Sequence, residues 1–219
     1  MSEQEQSQRW MWLVGGAGVV VLAGVAAGLW WMGREGCRLS LSGHSGAVRA
    51  VALSADGAVL AAGGNDQSVS VWKFPSGSRI THLAGKGGFV FSVALSPDGS
   101  LVAIGSNDGS VRVVDVTSGS DRFNTSAHRN GVYALQFSAE GKTLYSAGAD
   151  KNVRVWEVAS GKAIGAYRGH AGTIQALAMS PDGQYLASAG NDSTIRLWKL
   201  PSMSSVGSLS GHRQRVQAL

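Results

Sequence analysis

The chain repeats itself every 42 residues, and no other feature of the sequence constrains the fold as tightly. His44, Lys86, His128, His170 and His212 stand 42 residues apart. Asp66, Asp108, Asp150 and Asp192 keep that spacing, as do Trp72, Val114, Trp156 and Trp198. Serine and glycine bracket a turn in the same register, at Ser54 and Gly57, Ser96 and Gly99, Ser138 and Gly141, Ser180 and Gly183. Series that interlock without an insertion require one structural unit used again and again, each unit buried against its neighbours.

Inside a unit the local signals are strand and turn. In the fourth, IQALAMS (residues 174–180) alternates before Pro181-Asp182-Gly183. Residues 184–189 lead to Asn191-Asp192, TIRLWKL (194–200) alternates again, and residues 205–210 form a short last segment. A period of two, broken by Pro, Gly and Asp, predicts a meander of antiparallel strands. Four strands in about 42 residues is the size of a β-propeller blade. The expected fold class is therefore all-β: a propeller of four-stranded antiparallel blades over residues 39–219, with four complete repeats and the start of a fifth. Composition narrows the function classes. Charged residues are 15%, against about 25% in typical domains. The one cysteine, Cys37, excludes an internal disulfide framework and a cysteine-based zinc site. The net charge is +5 with no run of basic residues, which gives no nucleic-acid footprint.

Each unit is marked at both ends. Gly-His occurs at 43–44, 169–170 and 211–212, with Ala127-His128 as a variant, and Val71-Trp72, Val155-Trp156 and Leu197-Trp198 close the units. In this register these residues resemble the WD-repeat (transducin β-like) family from residue 38 to the end. The family's final Asp is replaced by Lys73, Glu157 and Lys199; only Asp115 keeps it, behind Val114. The resemblance implies a buried chain of Asp, His, hydroxyl and Trp inside a blade, in which every polar group has a partner. Carried over by position, two such sets are complete: His128, Ser146, Asp150 and Trp156, then His170, Ser188, Asp192 and Trp198. The first unit has His44, Asp66 and Trp72, with Ala62 in place of the hydroxyl. The second keeps only Asp108, beside Lys86, Ile104 and Val114, and a Lys86 to Asp108 pair is expected there. Ser, His and Asp together also suggest a hydrolase triad. Recurrence in each unit, and the lack of a nucleophile-elbow motif, point instead to stapling of blades. No catalytic, cofactor-binding or metal-binding residue is expected, and no cofactor.

Residues 10–32, WMWLVGGAGVVVLAGVAAGLWWM, carry no charge. A helix of that length spans about 34 Å, enough for a hydrocarbon core of about 30 Å. Trp10, Trp12, Trp30 and Trp31 lie at its two ends, as interfacial rings do. The expectation is a tail (residues 1–9), one transmembrane helix (10–32), a linker (33–38) and the propeller. A signal peptide cleaved after Val25-Ala26-Ala27 is the competing reading. Arg9 before the span, and Arg34 and Arg38 after it, lean only slightly toward a cytoplasmic propeller. Gly24 and Gly28 are spaced for close helix-helix contact, and Cys37 is either a palmitoylation site or a bland thiol.

Residues 38–42 look like an outer strand preceding Gly-His, and residues 213–219 open a fifth unit. Propellers of the family usually have seven blades. Three readings stay open: a fragment, a half-ring completed by another chain of the same or a different kind, and a four-blade ring. The resemblance implies non-catalytic work, holding protein partners. Positions that differ between units while their neighbours repeat are the better contact candidates: Arg49, Phe91, Tyr133, Gln175 and Gln217, then Ser45, Gly87, Arg129, Ala171 and Arg213 after each Gly-His position. Phe91 and Tyr133 are the foremost pair. The expected function is a membrane-anchored protein-interaction scaffold, with a structural accessory subunit of a membrane complex as the alternative.

Overall fold

The computed structural model describes residues 39–86, 88–202 and 204–219, together with the backbone of two short strands nearer the N-terminus. Those strands, β1 (Leu13–Gly15) and β2 (Gly18–Val20), pair antiparallel. Where the sequence leads one to expect helix, this part of the apolar segment is thus strand. Glycines at 15, 16 and 18 disfavour helix, and the valines at 19 and 20 are β-branched. Among the described residues no helix is long and apolar enough to cross a membrane. The remainder of residues 1–38, with Gly24, Gly28 and Cys37, lies outside the described residues, as does Gly87.

Four four-stranded antiparallel sheets follow, each a meander in chain order. Blade 1 is β3 (Val48–Leu53), β4 (Val59–Gly64), β5 (Val69–Lys73) and β6 (Arg79–Leu83). Blade 2 is β7 (Val90–Leu95), β8 (Leu101–Ser106), β9 (Ser110–Asp115) and β10 (Asp121–Ser126). Blade 3 is β11 (Val132–Phe137), β12 (Thr143–Gly148), β13 (Val153–Glu157) and β14 (Ala163–Tyr167). Blade 4 is β15 (Ile174–Met179), β16 (Tyr185–Gly190), β17 (Ile195–Lys199) and β18 (Ser204–Leu209). The first strands adjoin one another in the order β3, β7, β11, β15, so they form the inner side of an arc. The turn after each first strand is closed by its serine: Ser54 Oγ donates to Asp56 and accepts from the Val59 N–H, and Ser96 and Ser180 act alike.

One apolar cluster fills each junction between blades. Val69, Val71 and Leu83 meet Val93 and Val102 between blades 1 and 2. Val111 and Val113 meet Val132 and Leu144 between blades 2 and 3, and Tyr145 and Val153 meet Ile174 and Leu186 between blades 3 and 4. Close approach at the inner strands demands small residues. A Cβ on Gly105 would stand 2.8 Å from Val132 Cγ1. The two ends of the arc are less covered: β3 has no fully buried residue, β7 is buried at all but one position, and β18 is exposed throughout.

Neither terminal segment of the repeat region forms the strand expected of it. Residues 39–44 are irregular, although Leu39 and Leu41 seat against Gly77 as Phe123 seats against Gly161 two blades on. Residues 213–219 join no ladder. Only Val216 docks, buried, with its N–H donating to the Gly190 carbonyl at 3.0 Å. A strand is held by a neighbour's hydrogen bonds along its length, and a single bond of this kind does not make one.

Every first strand has a register shift after its first residue. It lies between Val48 and Ala50, Val90 and Ser92, Val132 and Ala134, and Ile174 and Ala176. The residue skipped is in turn Arg49, Phe91, Tyr133 and Gln175. A bulge frees its extra residue from the ladder and re-aims the side chain, so the blade-variable series is turned out of the pleat by the backbone itself. The packing makes one direct prediction. Gly105→Val forces a branched side chain onto Val132 and costs about 1–3 kcal/mol. A lowered denaturation midpoint in urea is the expected reading, and an unchanged midpoint contradicts the packing.

Candidate functional site

Blades 3 and 4 each hold an unbroken polar chain. Trp156 Nε1 donates to Ser146 Oγ at 2.8 Å. Ser146 Oγ lies 2.7 Å from His128 Nε2, and His128 Nδ1 lies 2.7 Å from Asp150 Oδ1. In blade 4 the Trp198, Ser188, His170 and Asp192 steps are 2.8 Å each. The serines are fully buried, so each must spend both its donor and its acceptor. Its oxygen accepts from the indole, so its proton goes to Nε2. The histidine is then neutral, and its Nδ1–H donates to the carboxylate. For His128, burial pulls the imidazole pKa down against the opposing pull of Asp150. Burial pushes the Asp192 carboxyl up, but bonds from Thr194, His170 and the Ala171 N–H outweigh it and bring it down to about 2.

Blade 1 shows what the missing hydroxyl costs. His44 Nδ1 reaches Asp66 Oδ2 at 2.9 Å and Ser68 Oγ at 3.2 Å. Its Nε2 is buried and has no hydrogen-bond partner among the described residues, and Ala62 holds the position in the repeat that Ser146 and Ser188 hold in blades 3 and 4. Ser70, one strand further out, bonds His82 Nδ1 at 2.9 Å instead. For Asp66, burial again acts upward, and bonds from His44 and the Ser68 and Ser45 N–H groups carry the pKa down to about 2.

Blade 2 corrects an expectation. Lys86 does not pair with Asp108; its Nζ lies 2.9 Å from Asp121 Oδ2, which Arg112 also holds, Nε to Oδ1 at 2.7 Å. Asp108 turns back to its own loop and accepts from the Ser110 N–H and Oγ at 2.9 and 2.7 Å. The reason is reach: a lysine side chain extends beyond the place an imidazole occupies. With Ile104 and Val114 at the serine and tryptophan positions, the site is rebuilt as an ion cluster. Burial raises the Asp121 carboxyl, and the Arg112 and Lys86 bonds more than reverse it. Arg112 was not singled out from the sequence, yet it too has a 42-residue series, with Ser70, Arg154 and Arg196. Arg154 NH2 bonds Asp150 Oδ2 at 3.1 Å.

The bulged residues form a row across the inner rim. Phe91 and Tyr133 stack, with ring centroids 5.3 Å apart and planes at 15°. Arg49 Cζ lies over Phe91, 5.3 Å from its centroid. Cation–π and offset stacking geometries of this kind are each worth about 0.5–1.5 kcal/mol. Asn65 accepts from Arg49 Nε, and Asn191 accepts from Gln175 Nε2 at 3.4 Å. Arg49 is exposed and both rings are half-buried. Arg129, Ala171, Arg213 and Gln217 are exposed on the same end. Asn65 could have been found from its own series, Asn65, Asn107 and Asn191, one residue before the aspartates. Among the described residues no group of three or more His, Cys, Asp or Glu could hold a metal ion.

The family model described as WD domain, G-beta repeat matches four times, over residues 35–73, 77–115, 117–157 and 161–199. Comparison with curated proteins gives no match. Each match runs from a segment preceding the histidine position to the third strand of a blade, so sequence unit and blade are offset by one strand.

Two predictions follow from the networks. Ala62→Ser supplies the absent hydroxyl between His44 and Trp72. It should stabilise the fold by about 1 kcal/mol, raising the melting midpoint by roughly 2–4 °C; a lowered midpoint contradicts the assignment. The pH dependence has a definite sign. An unfolded histidine titrates near 6.5 and an unfolded aspartate near 3.9. His128, Asp66 and Asp192 all titrate lower in the folded chain. The His128 contribution is therefore complete above about pH 6.5 and falls as pH drops below it. The aspartate contributions are complete above about pH 4 and are lost as pH falls through about 2. Denaturant unfolding from pH 8 to pH 3 should show the first decline, and His128→Gln should remove it.

Proposed function

The chain belongs to the WD-repeat family, and from that premise we propose that it is a membrane-tethered, non-catalytic scaffold whose partners bind the bulged inner rim. WD repeats indicate a protein-interaction scaffold. The observation that carries the finer reading is the row Arg49, Phe91 and Tyr133, contributed by three successive blades and joined by direct ring contacts. Positions that serve the fold repeat in every blade. These differ in every blade, and the bulge presents them outward. Aromatic and arginine side chains of this type supply most interface hot spots. Support for the tether is the uncharged run of residues 10–32 with tryptophans at both ends.

The test is a crosslinking pull-down from membranes with the full chain and with Phe91→Ala plus Tyr133→Ala. Partner recovery should fall about tenfold or more, in keeping with hot-spot losses of about 2 kcal/mol, while the melting midpoint keeps the fold in view. Unchanged recovery removes the rim from the reading. Alkaline extraction of the same membranes tests the tether: the full chain should stay in the pellet, and a chain lacking residues 10–32 should leave it.

A further inference from the structure

The two ends of the arc differ in the balance of charge they expose, and the blade networks contribute to it. At the end carrying the histidine loops, three of the four turn aspartates face inward, and Asp108 is exposed. The side chains of Asp66, Asp150 and Asp192 are 9%, 8% and 9% exposed, each committed to a histidine. Asp108 is committed to Ser110. Lys86 and Arg154 are engaged with Asp121 and Asp150, whereas Arg49, Arg129, Lys151 and Arg213 are exposed. At the opposite end Asp56, Asp98, Glu140 and Asp182 are exposed, and so are Lys73, Arg122, Lys142, Lys162 and Lys199, so that end carries both signs. The rim with its aromatic pair therefore lies on a predominantly basic surface, most of whose own acids are withdrawn.

We propose that this surface takes an acidic peptide segment bearing an aromatic or branched apolar side chain, which packs against Phe91 and Tyr133 while Arg129 and Arg213 meet its carboxylates. The assignment rests on the rim being the partner surface and adds the chemistry of the partner. Charge complementarity of this sort steers encounter and sets register, and the apolar anchor supplies the holding contact. A polynucleotide fits less well. Phe91 has Arg49 on it from blade 1 and Tyr133 from blade 3, so the rings form one closed stack rather than a series of separate platforms for successive bases. The cations also stand on separate loops, at residues 49, 129, 151 and 213, rather than in a track along a backbone.

The experiment pans a phage-displayed library of random dodecapeptides on the full chain in detergent micelles. Enriched peptides are then titrated against the parent chain, Phe91→Ala plus Tyr133→Ala, and Arg129→Glu plus Arg213→Glu. The expected result is enrichment of peptides rich in Asp and Glu around an aromatic or aliphatic residue. Both variants should weaken their binding about tenfold or more, and added salt should weaken it further. Enriched peptides that need Phe91 and Tyr133 but are neutral or basic, or ignore the charge reversal, overturn the acidic assignment and leave the rim standing. Failure to enrich, or binding indifferent to Phe91 and Tyr133, overturns both. Displacement of the peptides by single-stranded oligo-dT of twelve nucleotides, sensitive to the same variants, overturns it in favour of nucleic acid.

Discussion

A buried serine that accepts from an indole has only one place left for its proton, and that fact orders the rest of the blade. The proton goes to an imidazole nitrogen, the imidazole stays neutral, and its other N–H fixes an aspartate in the turn across the sheet. Distances of 2.7–2.8 Å at every step in blades 3 and 4 leave no polar atom of the chain without a partner. Each chain ties the loop entering a blade to its second and third strands, and so holds together parts that are about 20 residues apart in sequence. Blades 1 and 2 show the two ways of departing from it. Loss of the hydroxyl at Ala62 strands a buried nitrogen on His44. Replacement of three members in blade 2 brings in Arg112 and Asp121 as an ion cluster.

The same chemistry shapes the outer surface. A carboxylate spent on a histidine is withdrawn from solvent, so the end of the arc with the most aspartates in its turns exposes mainly cations. The bulge in each first strand then sets one side chain per blade on that end. Where the family constraint is absent the side chains differ, and three of them, Arg49, Phe91 and Tyr133, make contact across two blade junctions. Fold and candidate surface are thus coupled: the network supplies the charge, and the strand register supplies the presentation.

Much of this was legible in the residue spacing, because a repeated unit states its own requirements several times over. The 42-residue period, the four strands of each unit and the members of both complete chains could be named before any coordinates. The rim could be named as well, as the positions that break the repeat. What spacing cannot express is register and reach. The bulge that presents Arg49, Phe91, Tyr133 and Gln175 depends on one unpaired residue in a ladder. Lys86 was matched to Asp108 by periodicity, but a long flexible side chain is not confined to the slot of a ring. Residues 213–219 carry a strand-like pattern, yet pattern alone forms no strand without a neighbour's hydrogen bonds along its length.

The measurement that tests the account most directly is a double-mutant cycle on Ser146 and Trp156. Unfolding free energies of Ser146→Ala, Trp156→Phe and the double variant isolate the coupling between the hydroxyl and the indole N–H. The account predicts a coupling of about 1 kcal/mol, since either single change leaves the other partner buried and unsatisfied. Additivity within about 0.3–0.5 kcal/mol, the behaviour of independent sites, would contradict it.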